Sequence, residues 1–310
     1  MKTLVTGGAG FIGTNLIEEL QRIGDEVVVI DDFSSSFLES TQIKNVETLN
    51  YDLSNPDIVD KGIFESVDRI IHLAANVDNR FSWNNPHLSI RSNVDATLNL
   101  ALAARNFEIP KIIYASTGTI YGDLSNPPFL EMEESSKQTT LYGATKYAAE
   151  GILSVFATHY GIKTTVFRFV GVLGPHSSHG HLFDFVSRLR LDPTTLNVLG
   201  DGNQKKAYVH VSDLINGILS IESEFIFDVF NLGRPDYSTV RESVSWLCEE
   251  WGISPTVNYE KSDRGWIGDN PFLQLNVEKA LRTGWVPQMS IEESVKATVR
   301  WMLQNQSIFS

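Results

Sequence analysis

The stretch Thr6-Gly7-Gly8-Ala9-Gly10-Phe11-Ile12-Gly13, close to the start of the chain, decides the reading of the fold. A short β-branched run over residues 2–6 leads into it, and a segment with Phe11, Leu16, Ile17 and Leu20 on one helical face leads out of it. Glycines at this junction permit a tight turn and let the backbone approach a pyrophosphate. The helix N-terminus then offers that anion unpaired N–H groups and the positive end of a dipole. The spacing alone would also suit an ordinary strand-to-helix turn. Asp31 narrows the choice, because it ends the next apolar run about 20 residues on, where a carboxylate can accept hydrogen bonds from an adenosine ribose diol. It would repel a 2′-phosphate, so the pattern favours NAD over NADP.

Outward from this turn the first half alternates apolar runs with longer amphipathic segments, the pattern of parallel β-α-β units. Strands are expected at 2–6, 26–30, 69–73, 111–115 and 163–169, and longer helices at 93–106 and 142–160. Several strands are apolar at nearly every position, as a sheet covered on both faces requires. The expected fold class is α/β, a Rossmann-type doubly wound parallel sheet. Residues 1–170 would form the NAD-binding domain. Residues 171–310 would form a smaller, loop-rich substrate domain, with some segments returning to the first. A last helix should begin at the capping box of Ser290 and Glu293, with Ile291, Val295, Val299 and Met302 as its stripe.

The chain has 310 residues, 38 acidic and 25 basic, for a net charge of −13, so general binding to a nucleic-acid backbone is not expected. The lone Cys248 excludes a disulfide within the chain and fits a reducing compartment. Neither a signal peptide nor an apolar run of roughly 18–20 residues is legible, so the expected location is the cytoplasm, with no membrane partner.

Tyr142-Gly143-Ala144-Thr145-Lys146 places a phenol and an ammonium four residues apart on one helix face. Such a pair can do acid–base work if nearby positive charge lowers the phenol from its usual value of about 10. By itself it also fits an amphipathic surface pairing.

These motifs, together with His72-Leu73-Ala74-Ala75, Asn93-Val94-Asp95-Ala96-Thr97 and Ser116-Thr117-Gly118-Thr119-Ile120-Tyr121-Gly122, resemble the extended short-chain dehydrogenase/reductases, in particular nucleotide-sugar epimerases and dehydratases. Later blocks, Leu199-Gly200-Asp201-Gly202, Tyr208-Val209-His210-Val211-Ser212-Asp213 and Arg264-Gly265-Trp266-Ile267-Gly268-Asp269, are similar to UDP-glucose 4-epimerases, especially archaeal-type ones. The resemblance implies that Tyr142 is the general base, that Lys146 lowers its pKa and holds the nicotinamide ribose, and that Thr117 bonds the reacting sugar hydroxyl.

For the cofactor it implies contacts from Gly7, Gly10, Phe11, Ile12 and Gly13, then from Asp31, Asp32, Ser34 and Ser35. Asp52 and Leu53 would reach the adenine, although a surface turn fits them as well. Leu73, Ala74, Ala75, Asn93 and Ser116 would complete the groove, with Tyr142 and Lys146. For the sugar nucleotide it implies Asn76, Arg80, Thr117 and Gly171, and further along His179, Phe183, Lys206 and Arg264. Lys206 stands where 4-epimerases usually carry Arg, and Gly171 where the family normally carries Asn.

Dehydratases and glucuronate decarboxylases of this family typically place an acid where this chain has Thr119, so the resemblance favours 4-epimerisation of a UDP-hexose over elimination. A dehydratase, a UDP-glucuronate epimerase or decarboxylase, and a non-catalytic NAD-binding sensor are the alternatives. The histidines at 176, 179 and 181 lack an accompanying Cys or carboxylate set, so no metal is expected. A homodimer joined through 93–106 and 142–160 is also implied.

Overall fold

The computed structural model describes residues 1–34, 46–77, 82–122, 126–133, 137–266 and 272–309, with 124, 269 and 270, and every structural statement and count below concerns these. In chain order the first elements are β1 (Lys2–Thr6), α1 (Phe11–Arg22), β2 (Glu26–Asp31), β3 (Glu47–Asn50) and β4 (Arg69–His72). Then come α2 (Pro86–Ile90), α3 (Ala96–Asn106), β5 (Lys111–Thr117), α4 (Leu141–Tyr160), β6 (Lys163–Phe169) and β7 (Gly171–Leu173). The later part comprises α5 (His181–Leu191), β8 (Thr195–Val198), β9 (Lys205–Lys206), β10 (Tyr208–His210), α6 (Val211–Ser220) and β11 (Phe227–Leu232). It ends with β12 (Ser238–Thr239), α7 (Val240–Trp251), β13 (Thr256–Tyr259), β14 (Phe272–Leu273), α8 (Glu278–Leu281) and α9 (Ile291–Gln304).

Among the described residues seven strands form one sheet in the order β11-β6-β5-β4-β1-β2-β3, every pair parallel. This is the Rossmann-type doubly wound sheet. Neighbouring residues of a strand enter opposite layers, as the pleat dictates. Leu4 and Ile112 pack with Leu100 and Leu153 of α3 and α4, whereas Val5 and Ile113 pack with Leu16 and Ile17 of α1 and Leu214 and Ile218 of α6. The strand order reverses between β1 and β4, and in such sheets the crevice beyond the carboxyl ends at the reversal takes the ligand. The glycine turn, the residues after His72 and the end of β5 all open there.

Two expected boundaries shift for physical reasons. β5 runs on through Ser116 and Thr117, because both pair with Arg168 and Phe169 of the next strand. The helix expected at 93–106 instead starts at Pro86, where Asn85 accepts the Leu88 N–H and proline occupies the first turn, and it passes through a π-turn, Arg91–Asp95, before α3. The π-turn carries Asn93. The remaining small sheets, β7 with β10, β8 with β13, and β9 with β12 and β14, surround a second core of α5, α7 and α9. There α9 begins as expected: Ser290 and Glu293 close both bonds of the capping box, and Ile291, Val295, Val299 and Met302 are buried. Among the described residues no helix is long and apolar enough to cross a membrane.

Candidate active site

The glycine turn separates two demands. A Cβ on Gly7 would stand 2.7 Å from the Ala74 nitrogen, and Gly7 has φ +70, a left-handed conformation that side chains rarely adopt. A Cβ on Gly13 would stand 2.2 Å from the Gly7 carbonyl oxygen. Both glycines are therefore required by packing. Gly10 is different: its Cβ would meet one protein atom, 3.3 Å away, and as N-cap of α1 it leaves the helix start without a side-chain cap. The space and the open N–H groups at Gly10 suit a pyrophosphate. Phe11 and Ile12 send their side chains into the core, so they offer backbone N–H groups alone.

Asp31 closes this end. Its Oδ2 accepts the Ala9 N–H at 2.9 Å and its Oδ1 the Phe33 N–H at 2.8 Å, which leaves lone pairs on both oxygens for a diol. Burial raises its pKa, opposed by those two N–H bonds. Asp32 is exposed and accepts the N–H and hydroxyl of Ser34. Asp52 is also exposed and accepts the Ser54 N–H, while the Leu53 carbonyl already takes the Asn99 amide at 2.9 Å. Ser35, Asn79 and Arg80 lie outside the described residues, as do Ile267 and Gly268.

Behind the Leu73-Ala74-Ala75 wall runs a directed chain of hydrogen bonds. Thr97 donates to the Asn93 carbonyl at 2.6 Å, so its oxygen accepts from His72 Nε2 at 3.0 Å. His72 Nδ1 then accepts from Thr6 at 2.7 Å, and the Thr6 oxygen accepts the Ala74 N–H at 3.2 Å. This polarity requires a neutral imidazole with its proton on Nε2. It agrees with the pKa of His72, which burial, and secondarily the Lys146 charge, pushes down to about 3. Asn93 finishes the frame: its Oδ1 accepts the Asn76 N–H at 2.7 Å, and its amide donates to the Asn76 carbonyl and to Thr145 on α4.

On α4, capped by Thr140 through the Gly143 N–H, Tyr142 meets Thr117 from the end of β5, and Lys146 follows one turn later on the same helix. The Thr117 hydroxyl is bonded to the Tyr142 phenol. It also accepts the Thr119 N–H at 3.1 Å and lies 3.1 Å from the Thr119 hydroxyl. Burial pushes Tyr142 up to about 12, with the Thr117 bond opposing, and pushes Lys146 down to about 7, with Glu150 opposing. The Lys146 ammonium stands 4.2 Å from the centre of the Tyr114 ring. Ser116 is fully buried and donates its hydroxyl to Glu150, so its side chain is turned away from any cofactor.

The substrate side is built from short pieces. A Cβ on Gly171 would come within 2.8 Å of the Tyr208 ring, so the ring fills the space that a side chain at 171 would need. Tyr208 stacks on His181, ring centres 5.2 Å apart. Burial, with Lys206 adding to it, pushes His181 down to about 4. Lys206 is tied to the Asp269 carboxylate at 2.6 Å and to the Asn270 carbonyl, so it is not a free phosphate cation. Arg264 is exposed and donates to the Asp269 carbonyl at 3.2 Å.

The three imidazoles of the 176–181 loop go to three different partners. His176 lies on Trp301 and His179 edge-on to Phe11, while His181 pairs with Tyr208. The loop is anchored over α1, where Asn15 donates to the Pro175 carbonyl at 3.0 Å. Phe183 stacks on Phe309, ring centres 4.9 Å apart.

Residues 3–233 match the sequence profile of the NAD dependent epimerase/dehydratase family. The chain belongs to this family. A UDP-glucuronate 4-epimerase of Thermodesulfobacterium geofontis is 30% identical over 319 residues, 97% of this chain and 96% of that one. A crystal structure of a UDP-galactose 4-epimerase superposes with TM-score 0.88 at 31% identity, covering 98% and 99% of the two chains. The structure of MoeE5 with UDP-glucuronic acid and NAD superposes with TM-score 0.87 at 27% identity, covering 98% and 100%.

As a member of the NAD dependent family, the chain takes NAD as its cofactor, and the room at Gly10 and the lone pairs of Asp31 fit it. Three polar residues of the site were not singled out from sequence: Glu150, Arg168 and Asp269. Glu150 was legible, since it continues the face of Tyr142 and Lys146 at the next helical turn. Arg168 and Asp269 had no local signal, because their partners Glu150 and Lys206 come from other elements.

Proposed function

We propose that this protein epimerises a UDP-hexose at C4 through a transient 4-keto sugar. The observation that carries the reading is the bond of the Tyr142 phenol to Thr117, whose hydroxyl lies 3.1 Å from that of Thr119, a hydroxyl at the position where elimination would want a carboxylic acid. When bound, NAD supplies a hydride acceptor and donor together with positive charge at its nicotinamide ring. Tyr142 takes the proton of the sugar 4-hydroxyl and returns it after the sugar has turned. Thr117 holds the same oxygen, and Lys146 holds the ribose and favours the phenolate. Arg264, exposed and bonded to the Asp269 carbonyl, is a cation for the diphosphate.

A hexuronate is the second reading, supported by two similar proteins, one named as a UDP-glucuronate 4-epimerase and one solved with UDP-glucuronic acid. Incubation with UDP-glucose, UDP-N-acetylglucosamine and UDP-glucuronate, each with NAD, tests both. An isomer of unchanged mass supports epimerisation and names the sugar. Loss of water or carbon dioxide overturns it.

A homodimer through α3 and α4 belongs to the same proposal. Leu98 on α3 and Val155 and Tyr160 on α4 are exposed, at 37%, 53% and 52%. Sedimentation as a monomer at micromolar concentration would overturn it.

A further inference from the structure

Tyr142, Lys146 and Glu150 follow one another at successive turns of α4, on the face that meets the sheet. Glu150 is 4% exposed and its carboxylate is gripped from the sheet: Arg168 of β6 donates from Nη2 at 2.7 Å and from Nε at 3.1 Å, and Ser116 of β5 donates its hydroxyl. Arg168 is in turn held by the Tyr121 hydroxyl at 3.1 Å and the Glu131 carbonyl at 2.9 Å, and Tyr121 donates to Asn231 of β11 at 2.8 Å. The ion pair is therefore locked from three strands. It lies with its negative end on the helix that carries Lys146 and its positive end on the sheet.

We propose that Glu150 is a positioning residue for the Tyr142–Lys146 pair: it aims a fixed negative charge toward Lys146 one turn away and favours the ammonium form against the cost of burial. The need is evident from the surroundings. Lys146 is 1% exposed, and the groups that face it are Tyr142 and Glu150 from its own helix, the Tyr114 ring from β5 and His72 from β4. Of these, His72 is held neutral by its chain of hydrogen bonds. Without the positive charge of bound NAD, burial pushes both phenols upward, so neither carries charge near neutral pH. Glu150 is then the anion that offsets the desolvation of Lys146. Arg168 grips the carboxylate and holds it in place.

The proposal rests on reading Tyr142 and Lys146 as the proton-handling pair, but its test requires no substrate. The full chain is labelled with carbon-13 at lysine Cε, the Lys146 signal is assigned by its loss in Lys146→Met, and its shift is followed from pH 5 to 11 without and with NAD. The wild-type midpoint is expected near 7 without cofactor. In Glu150→Gln it should fall by about one pH unit or more. Glu150→Gln/Arg168→Gln, which removes the guanidinium together with its carboxylate partner, should show the same fall and carries the test if the single variant does not fold. Glu150→Asp should restore most of the wild-type value. A midpoint unchanged in the folded variants would overturn the proposal. Product analysis decides the epimerase reading separately, so the two can fail independently.

Discussion

The seven-stranded sheet and the small sheets after β6 hold their polar residues in different ways. In the sheet, the candidate site residues are positioned by backbone register: Thr117 is the last pair of β5 with β6, and Asp31 ends β2 beside Asn50 of β3. Behind them, buried chains of side chains, Thr6-His72-Thr97-Asn93 and Ser116-Glu150-Arg168-Tyr121-Asn231, fix what register leaves free. In the later region strands of two to four residues are tied mainly by side-chain contacts, such as Lys206 to Asp269 and His181 to Tyr208. Groups that move protons need fixed geometry, which a wide parallel sheet supplies. Groups that choose a substrate can stand on turns over that frame.

The largest effect that would test this contrast is at the proton-handling end. Tyr142→Phe removes one oxygen without disturbing the helix, and turnover of the nucleotide sugar should fall about a thousandfold while the melting temperature stays near wild type. A loss under tenfold would remove Tyr142 from the chemistry.

Next come two glycines, one in each region. Gly13→Ala drives a methyl into backbone at 2.2 Å and should cost about 3 kcal/mol in urea unfolding. Gly171→Ala meets the edge of a side-chain ring at 2.8 Å on a two-stranded ribbon, and should cost less than half as much. Equal costs would mean that the later region is as unyielding as the sheet.

Acid provides a third comparison, since each region buries a neutral imidazole, His72 held at about 3 and His181 at about 4. Both folded values lie below the ordinary 6.5, so the unfolded chain binds more protons below pH 6.5 and stability falls with acid. Each contributes up to about 1.4 kcal/mol per pH unit, His181 down to about pH 4 and His72 down to about pH 3. His181→Gln should remove about half of that slope between pH 6 and 4.5. An unchanged slope would mean that His181 titrates freely.

The smallest effect expected is from Lys206→Met. The pair it breaks is partly exposed, 20% and 13%, so stability should drop by about 1 kcal/mol. A loss comparable to Gly13→Ala would promote this tie to a main support.

The candidate site was unevenly legible. Gly7, Gly10, Gly13 and Asp31 could be read because a pyrophosphate turn imposes local spacing, and Tyr142 and Lys146 because an α-helix repeats every 3.6 residues. The stacking of Phe183 on Phe309 was not legible, because an aromatic on an amphipathic helix carries no mark of which neighbour it will meet. The tie of Lys206 to Asp269 was not legible either, because its partner lies in a separate segment.

Period and turn chemistry are properties of neighbouring residues, and through them the sequence by itself determined the parallel α/β sheet, the cofactor turn, the Tyr142 helix and the capped last helix. Tertiary structure alone decided the π-turn's use of Asn93, the grip of Arg168 on Glu150, the ring of Tyr208 over Gly171 and the tie of Lys206 to Asp269. Each of these joins groups far apart in the chain, and burial makes their charges and hydrogen bonds depend on partners that no local pattern specifies.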